Sequence, residues 1–236
     1  MSYAGQLTKP HARFVRSFRQ LAYVGLVILC ALYAPAFATI LAAVLAVVLV
    51  TIETRAPLRA IGLSAPAHWG RTILVGVVTG ILLLLLSKLL LTPLIEVITG
   101  VERNLTRLDF VRGDWVAYVS FLPLLWLSAA LGEEVVYRGF LITRLLEAFG
   151  STTWLVKAAA VAISSLAFAL VHAYQGPAGL VLTGVMGMLL SILFVVSQFN
   201  LWCNVIVHGV YDTLSLAMIW LSWDHMLTRW GRLLIS

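Results

Sequence analysis

The sequence predicts an all-α, polytopic membrane protein of about seven transmembrane helices with a polar cavity inside the bilayer. Three observations predict it. The 236-residue chain is 61% hydrophobic and only 11% charged, against roughly 45–50% and 25% in a soluble domain. Its mean hydropathy is +1.00. Its apolar residues fall in runs of about 20, the length that crosses a hydrocarbon core as a helix. These runs do not alternate as the strands of an outer-membrane barrel do.

The net charge of +6 is not a nucleic-acid signal. The basic residues sit mostly between apolar runs, where they set topology and meet anionic headgroups. The expected partners are therefore the lipid bilayer and a membrane-anchored protein or peptide, with no nucleic acid. Cys30 and Cys203 lie inside apolar runs without metal-type spacing and read as apolar fillers. The run after Arg19 is too long for the core of a cleavable signal, although Ala34-Pro35-Ala36 looks like a cleavage site.

Taken in order, residues 1–20 carry Lys9, Arg13, Arg16 and Arg19 with no acid, a basic segment expected on the cytoplasmic face. Residues 21–52 are apolar and interrupted by Pro35. One helix of that length would measure about 45 Å, so it is either a kinked, tilted span or a hairpin broken at Ala34-Pro35-Ala36. Residues 53–71 are rich in Arg, Pro and Gly and read as a cytoplasmic loop. Residues 72–95 form a span whose single charge, Lys88, is expected to snorkel towards an interface. Residues 96–114 balance four acids against three arginines and read as the largest polar loop, on the outer side.

A span at 115–131 is expected to stop at Gly132. A helix over 133–149 would then begin with Glu133 and Glu134 in its first turn, where the helix dipole suits carboxylates. Spans follow at 153–173, 178–197 and 201–223. Gly184, Gly187 and Ser191 offer a small-residue stripe for close packing. Three regions result within one integral membrane domain: 1–114 with the basic segment and first helices, 115–223 as the catalytic core, and 224–236 as a C-terminal tail. A multi-pass protein of a bacterial inner membrane, with its N-terminus cytoplasmic, is the expected localisation.

The chemistry gathers after residue 130. Glu133, Glu134, Arg138, His172, Asn204, His208 and Asp212 are polar groups in or beside apolar runs. An ionisable group at membrane depth is a functional-site hypothesis by default. Glu134 and Arg138 are spaced i,i+4 and share a helix face, so they can pair. Glu133 lies about 100° away and is left for other work. Asn204, His208 and Asp212 make one polar stripe at the same spacing. A glutamate beside a histidine can take a proton from water, and a second histidine can donate to the oxyanion formed at an attacked amide. The alternative is a divalent metal such as Zn2+ held by Glu133, His172, His208 and Asp212. The cofactor is thus none or Zn2+, and the residues leave that undecided. Neither HExxH nor GxSxG occurs, which disfavours the helical zinc-protease motif and a serine nucleophile.

The stretch GEEVVYRGF, residues 132–140, resembles the EExxxR motif of the CPBP family of intramembrane proteases (CAAX proteases and bacteriocin-processing enzymes, also called Abi). Phe168-Ala-Leu-Val-His172 resembles the family's FxxxH. His208-Gly-Val-Tyr-Asp212 resembles its third motif, a histidine followed four residues later by Asn or Asp. The resemblance spans roughly residues 115–223. It implies a glutamate-type or metal-dependent endopeptidase acting on a membrane-anchored protein or C-terminal tail. By position it makes Glu133 the base that activates water, with His172 holding the same water. Glu134 becomes the supporting acid partnered by Arg138, and His208 belongs to the oxyanion site; Asn204, from its place in the polar stripe, is read as a further supporting residue. Asp212 stands where the CAAX-protease branch has Asn. An Asn amide can donate to an oxyanion and an ionised Asp cannot, so Asp212 would orient His208, bind metal or stay protonated. Two other classes compete. One is a non-catalytic membrane scaffold or bacteriocin-immunity protein of the same fold. The other is a proton-coupled transporter, which would favour inverted repeats or paired broken helices; none is apparent.

Overall fold

The computed structural model describes residues 10–33 and 38–235. Among these residues the chain is helical throughout, with no strand. Helix α1 (Pro10–Tyr33) and α2 (Ala38–Glu53) are followed by a single turn, α3 (Pro57–Ala60). Next come α4 (Trp69–Leu86), a wide-wound π segment (Ser87–Leu91) and α5 (Thr92–Thr99), which together make one continuous rod. A 3-10 turn (Thr106–Val111) leads to α6 (Trp115–Leu125), a long π segment (Trp126–Ile142) and α7 (Thr143–Phe149). Helices α8 (Trp154–Val171), α9 (Gly176–Val196), α10 (Leu201–Trp220) and α11 (Met226–Ile235) complete the chain. The protein is a polytopic helical membrane protein.

Five helical runs are long and apolar enough to cross a membrane: Phe14–Tyr33, Trp69–Thr99, Trp115–Phe149, Trp154–Val171 and Ala173–Val196. Helix α2 is apolar but shorter, and α10 carries the polar stripe. The main correction concerns Gly132. Residues 115–149 do not break there but form one 35-residue run. Glycine alone does not end a helix whose backbone hydrogen bonds have no water to replace them. Glu133 and Glu134 therefore lie in mid-helix, and the expected first-turn dipole effect does not apply. The π winding coincides with the motif, and π segments recur at functional sites.

Residues 21–52 are divided between α1 and α2; Ala34-Pro35-Ala36, where a hairpin break is one expectation, lies outside the described residues. Glu53 at the end of α2 accepts from Gln20 at 2.9 Å and pairs with Arg19 at 2.8 Å, both on α1. It also pairs with Arg144 of α7 at 2.9 Å. One partly buried carboxylate thus ties α1, α2 and α7 together at one end of the bundle. Gly62, with φ +85°, accepts from the backbone N–H of Leu201 at 2.8 Å and docks the 53–71 segment under α10. At the opposite end, Arg112 holds Asp224 through two bonds of 2.9 and 3.1 Å. Arg232 of α11 bonds Glu96 and Glu102, each at 2.8 Å. The expected C-terminal tail is thus a short helix fastened to the 96–114 loop.

Helices approach closely where side chains are missing. A Cβ on Gly80 of α4 would lie 2.9 Å from the carbonyl oxygen of Val207, and one on Gly76 would lie 2.8 Å from Cβ of Ile206. These two positions let α4 lie against α10. In the small-residue stripe of α9, a Cβ on Gly187 would meet the Phe168 ring of α8 at 2.9 Å, and Ser191 is fully buried. Gly80→Val is expected to push α4 from α10, since a backbone carbonyl cannot move aside. Its cost should be about 1–3 kcal/mol, as for other overpacked sites, read as a lower unfolding midpoint in detergent.

Candidate active site

Four elements converge on the polar residues. The long π segment supplies Glu133, Glu134 and Arg138. The C-terminal end of α8 supplies His172, α9 supplies backbone carbonyls, and α10 supplies Asn204, His208 and Asp212.

Glu134 and Arg138 are both fully buried, and Oε1 of Glu134 accepts from Nη1 of Arg138 at 2.9 Å. The pair does not stand alone. Oε1 of Glu134 also lies 2.8 Å from Nδ1 of His208, and its Oε2 accepts from Nδ2 of Asn204 at 3.1 Å. The same Asn204 amide donates to the Leu190 carbonyl at 2.7 Å, and Arg138 Nη2 donates to the Gly187 carbonyl at 3.1 Å. The Arg138 guanidinium rests 4.6 Å above the Phe168 ring, a cation–π contact that replaces hydration on that face. Glu134 therefore accepts from three donors and is closed off from the cavity.

Glu133 has none of these partners. Its Oε1 lies 3.9 Å from Nε2 of His172, and its Oε2 lies 3.7 Å from Nε2 of His208. Both separations exceed a direct hydrogen bond. They suit one small molecule bridging the carboxylate and the rings. Nε2 of His208 also lies 3.4 Å from Oδ2 of Asp212.

The second nitrogen of each ring sets its orientation. Nδ1 of His172 lies 2.8 Å from the Phe168 carbonyl oxygen. A carbonyl only accepts, so Nδ1 carries the hydrogen, and in the neutral ring Nε2 presents a lone pair towards Glu133. Nδ1 of His208 faces the Glu134 carboxylate and donates likewise, leaving Nε2 directed at Asp212 and Glu133. Phe168 serves several groups at once. Its carbonyl fixes His172, and its ring lies 4.6 Å from the His172 ring and 6.3 Å from that of His208.

These groups open onto a cavity of about 500 Å³ lined by Glu133, His172, His208 and Asp212. Leucines and Phe121 make much of the remaining wall. All seven residues singled out in the sequence meet in this region, but in two layers. Glu133, His172, His208 and Asp212 face the cavity. Glu134, Arg138 and Asn204 lie behind them as a buried hydrogen-bonded layer.

Among the described residues no three or more His, Cys, Asp or Glu side chains are grouped so as to hold a metal ion. The candidate Zn2+ ligands Glu133, His172, His208 and Asp212 do not form such a group as arranged.

Residues 115–214 match the model of a protein family described as type II CAAX prenyl endopeptidase Rce1-like. This segment is similar to that family. The match bears out the resemblance carried by the three motifs. The family so described is one of CAAX prenyl endopeptidases. No curated protein and no solved structure matches the chain. The Rce1-like segment contains every residue of both layers.

Sequence reasoning missed the groups that line the cavity from outside this segment. Lys88 does not snorkel to an interface. It is 4% exposed and lines the cavity, as does Arg103. Gln175 of the α8–α9 turn accepts from Arg103 Nε at 2.7 Å, and its carbonyl accepts from the Asn104 N–H at 2.9 Å. Tyr211, one residue before Asp212, shares a 3.0 Å hydrogen bond with Ser87. A lone lysine in an apolar run signals burial or snorkelling equally, so periodicity could not have found this wall.

Proposed function

We propose that the protein is an intramembrane endopeptidase that hydrolyses a peptide bond of a membrane-anchored protein with water activated by Glu133. One observation carries this reading. A cavity-facing carboxylate sits between two imidazole Nε2 atoms at 3.7 and 3.9 Å, while the adjacent carboxylate is sequestered by three donors.

In the proposed reaction, Glu133 takes a proton from a water that also donates to the lone pair on His172 Nε2. The water oxygen bonds to the carbonyl carbon, and the carbonyl π electrons move to its oxygen. That oxyanion accepts a hydrogen bond from Nε2–H of His208, a doubly protonated ring that also donates through Nδ1 to Glu134. The tetrahedral carbon then expels the amine, which leaves with the proton returned from Glu133. The products are a new carboxylate and a new amine, with no acyl-enzyme. Asp212 orients His208 across the 3.4 Å contact.

The test uses purified protein in lipid vesicles with membrane-anchored peptides, and release is followed by mass spectrometry. His208→Ala is expected to lower kcat by about 10²–10³-fold, the usual cost of one oxyanion donor. Asp212→Asn is expected to retain most activity, because an amide can also accept from Nε2. If Asp212→Asn is inactive and zinc restores it, the site is a metal centre and the metal-free reading fails.

The same reading bears on topology. Arg16, Arg19, Arg55, Arg59, Arg71, Arg144 and Lys157 occur at the end of the bundle marked by Glu53, with only Glu53 and Glu147 opposing them. At the other end the arginines of 103–112 and of α11 are balanced by Glu96, Glu102, Asp109, Asp114 and Asp224. The strongly basic end belongs in the cytoplasm, so the N-terminus is cytoplasmic and the end carrying His172 and Gln175 faces outward. Reporter fusions at Ser151 and Ser222 are expected to give opposite sidedness.

A further inference from the structure

The part of the cavity wall supplied by residues before 115 is cationic, and nothing in the mechanism uses it. Lys88 lines the cavity and is 4% exposed. Among the described residues its ammonium has no hydrogen-bond or ion-pair partner. A buried cation without a partner is costly. The neighbouring carboxylates do not meet that cost. Glu96 is taken up by Arg232 at 2.8 Å and Asp224 by Arg112 at 2.9 Å, and neither lines the cavity. Arg103 lines the same cavity. Gln175 holds it through Nε at 2.7 Å, which leaves both Nη groups for a ligand. Gln175 is itself 5% exposed, so the guanidinium is positioned rather than free to swing.

We infer that Lys88 and Arg103 form an anion-binding subsite that receives the terminal carboxylate of the peptide cleaved at Glu133. The inference rests on the proposed peptidase reading and adds the feature by which substrate is chosen. An arginine held in a fixed orientation suits a planar carboxylate, and the lysine adds a point charge. A volume of about 500 Å³ is that of a pocket for a small ligand. Leu105, Leu108, Leu125, Leu182 and Leu216 line the space with the two cations, which suits an apolar tail ending in a free carboxylate. Both cations come from residues before 115, outside the matched segment. This selectivity is thus set by the chain's own N-terminal half, not by the catalytic motifs.

The experiment compares cleavage of one membrane-anchored peptide with a free or an amidated C-terminus by the wild-type protein in neutral phosphatidylcholine vesicles. Amidation is expected to lower kcat/KM by about 10–100-fold, mainly through KM, the scale of a lost charge-assisted hydrogen bond. Lys88→Met should cause a loss of similar size on the free peptide, and the two losses should not add. Equal cleavage of both peptides by wild type overturns the subsite and leaves the peptidase standing. No cleavage of either peptide overturns the peptidase reading itself. If anionic lipid changes the Lys88→Met effect while amidation changes nothing, the site takes a lipid phosphate and the carboxylate assignment is wrong. The amidation arm needs no variant, so misfolding of Lys88→Met cannot rescue the inference.

Discussion

Glu133→Gln protein is expected to fold, to keep the unfolding midpoint of wild type, and to release no product. The substitution keeps the shape and removes the base. Glu133 is the one carboxylate of the motif that no donor holds, and its oxygens lie 3.9 and 3.7 Å from the two imidazoles. An amide oxygen cannot take the proton of an attacking water at neutral pH. A general base contributes about 10²–10⁴-fold. Without it the water is not activated, and the proton for the leaving amine is lost as well. The decisive measurement is time-resolved product release from vesicles beside a thermal unfolding trace of the same sample. Full turnover by Glu133→Gln would remove the mechanism and return the non-catalytic scaffold and transporter readings to consideration.

Arg138→Ala is expected to be the most damaging single change to stability. The guanidinium neutralises Glu134 at 2.9 Å, braces α9 through the Gly187 carbonyl at 3.1 Å, and lies against Phe168. Both members of the pair are fully buried, so the carboxylate left behind would have no water to turn to. Breaking one side of a buried pair costs about 3–5 kcal/mol, whereas replacing both with apolar residues of similar volume costs far less. The double variant Glu134→Leu with Arg138→Met should therefore unfold at a higher temperature than Arg138→Ala, yet remain poorly active, because His208 loses the acceptor on Nδ1. If Arg138→Ala unfolds like wild type, the pair does not brace the helix run and this account is wrong.

Much of the site was legible because membrane chemistry leaves few polar residues to choose from. An acid or base in an apolar run needs a partner, so Glu133, Glu134, His172 and His208 pointed to one another. The Glu134–Arg138 contact followed from i,i+4 spacing alone. The division of labour was only half legible. Spacing separated Glu134 from Glu133, but it could not show that His208 turns one nitrogen to Glu134 and the other to the cavity, since that depends on how α10 crosses the π segment. Phe168 looked like a motif marker, and the structure makes its carbonyl the acceptor that sets the tautomer of His172.

The sequence by itself determined the class of the protein, the order of its helices and the identity of its reactive groups. Hydropathy is a local property, and helical periodicity turns one-dimensional spacing into shared faces. Only the tertiary structure decided that residues 115–149 run unbroken past Gly132, that α1 and α2 are tied together by Glu53, and that Lys88 lines the cavity with Arg103. Each of these depends on which helix packs against which. Packing in a bilayer is set by close approach at positions such as Gly80 and Gly187 and by buried polar contacts between residues far apart in the chain. No window of sequence contains both partners of the contact between Arg103 and Gln175, and so none could show that a polar loop and a helix turn together close the wall of the cavity.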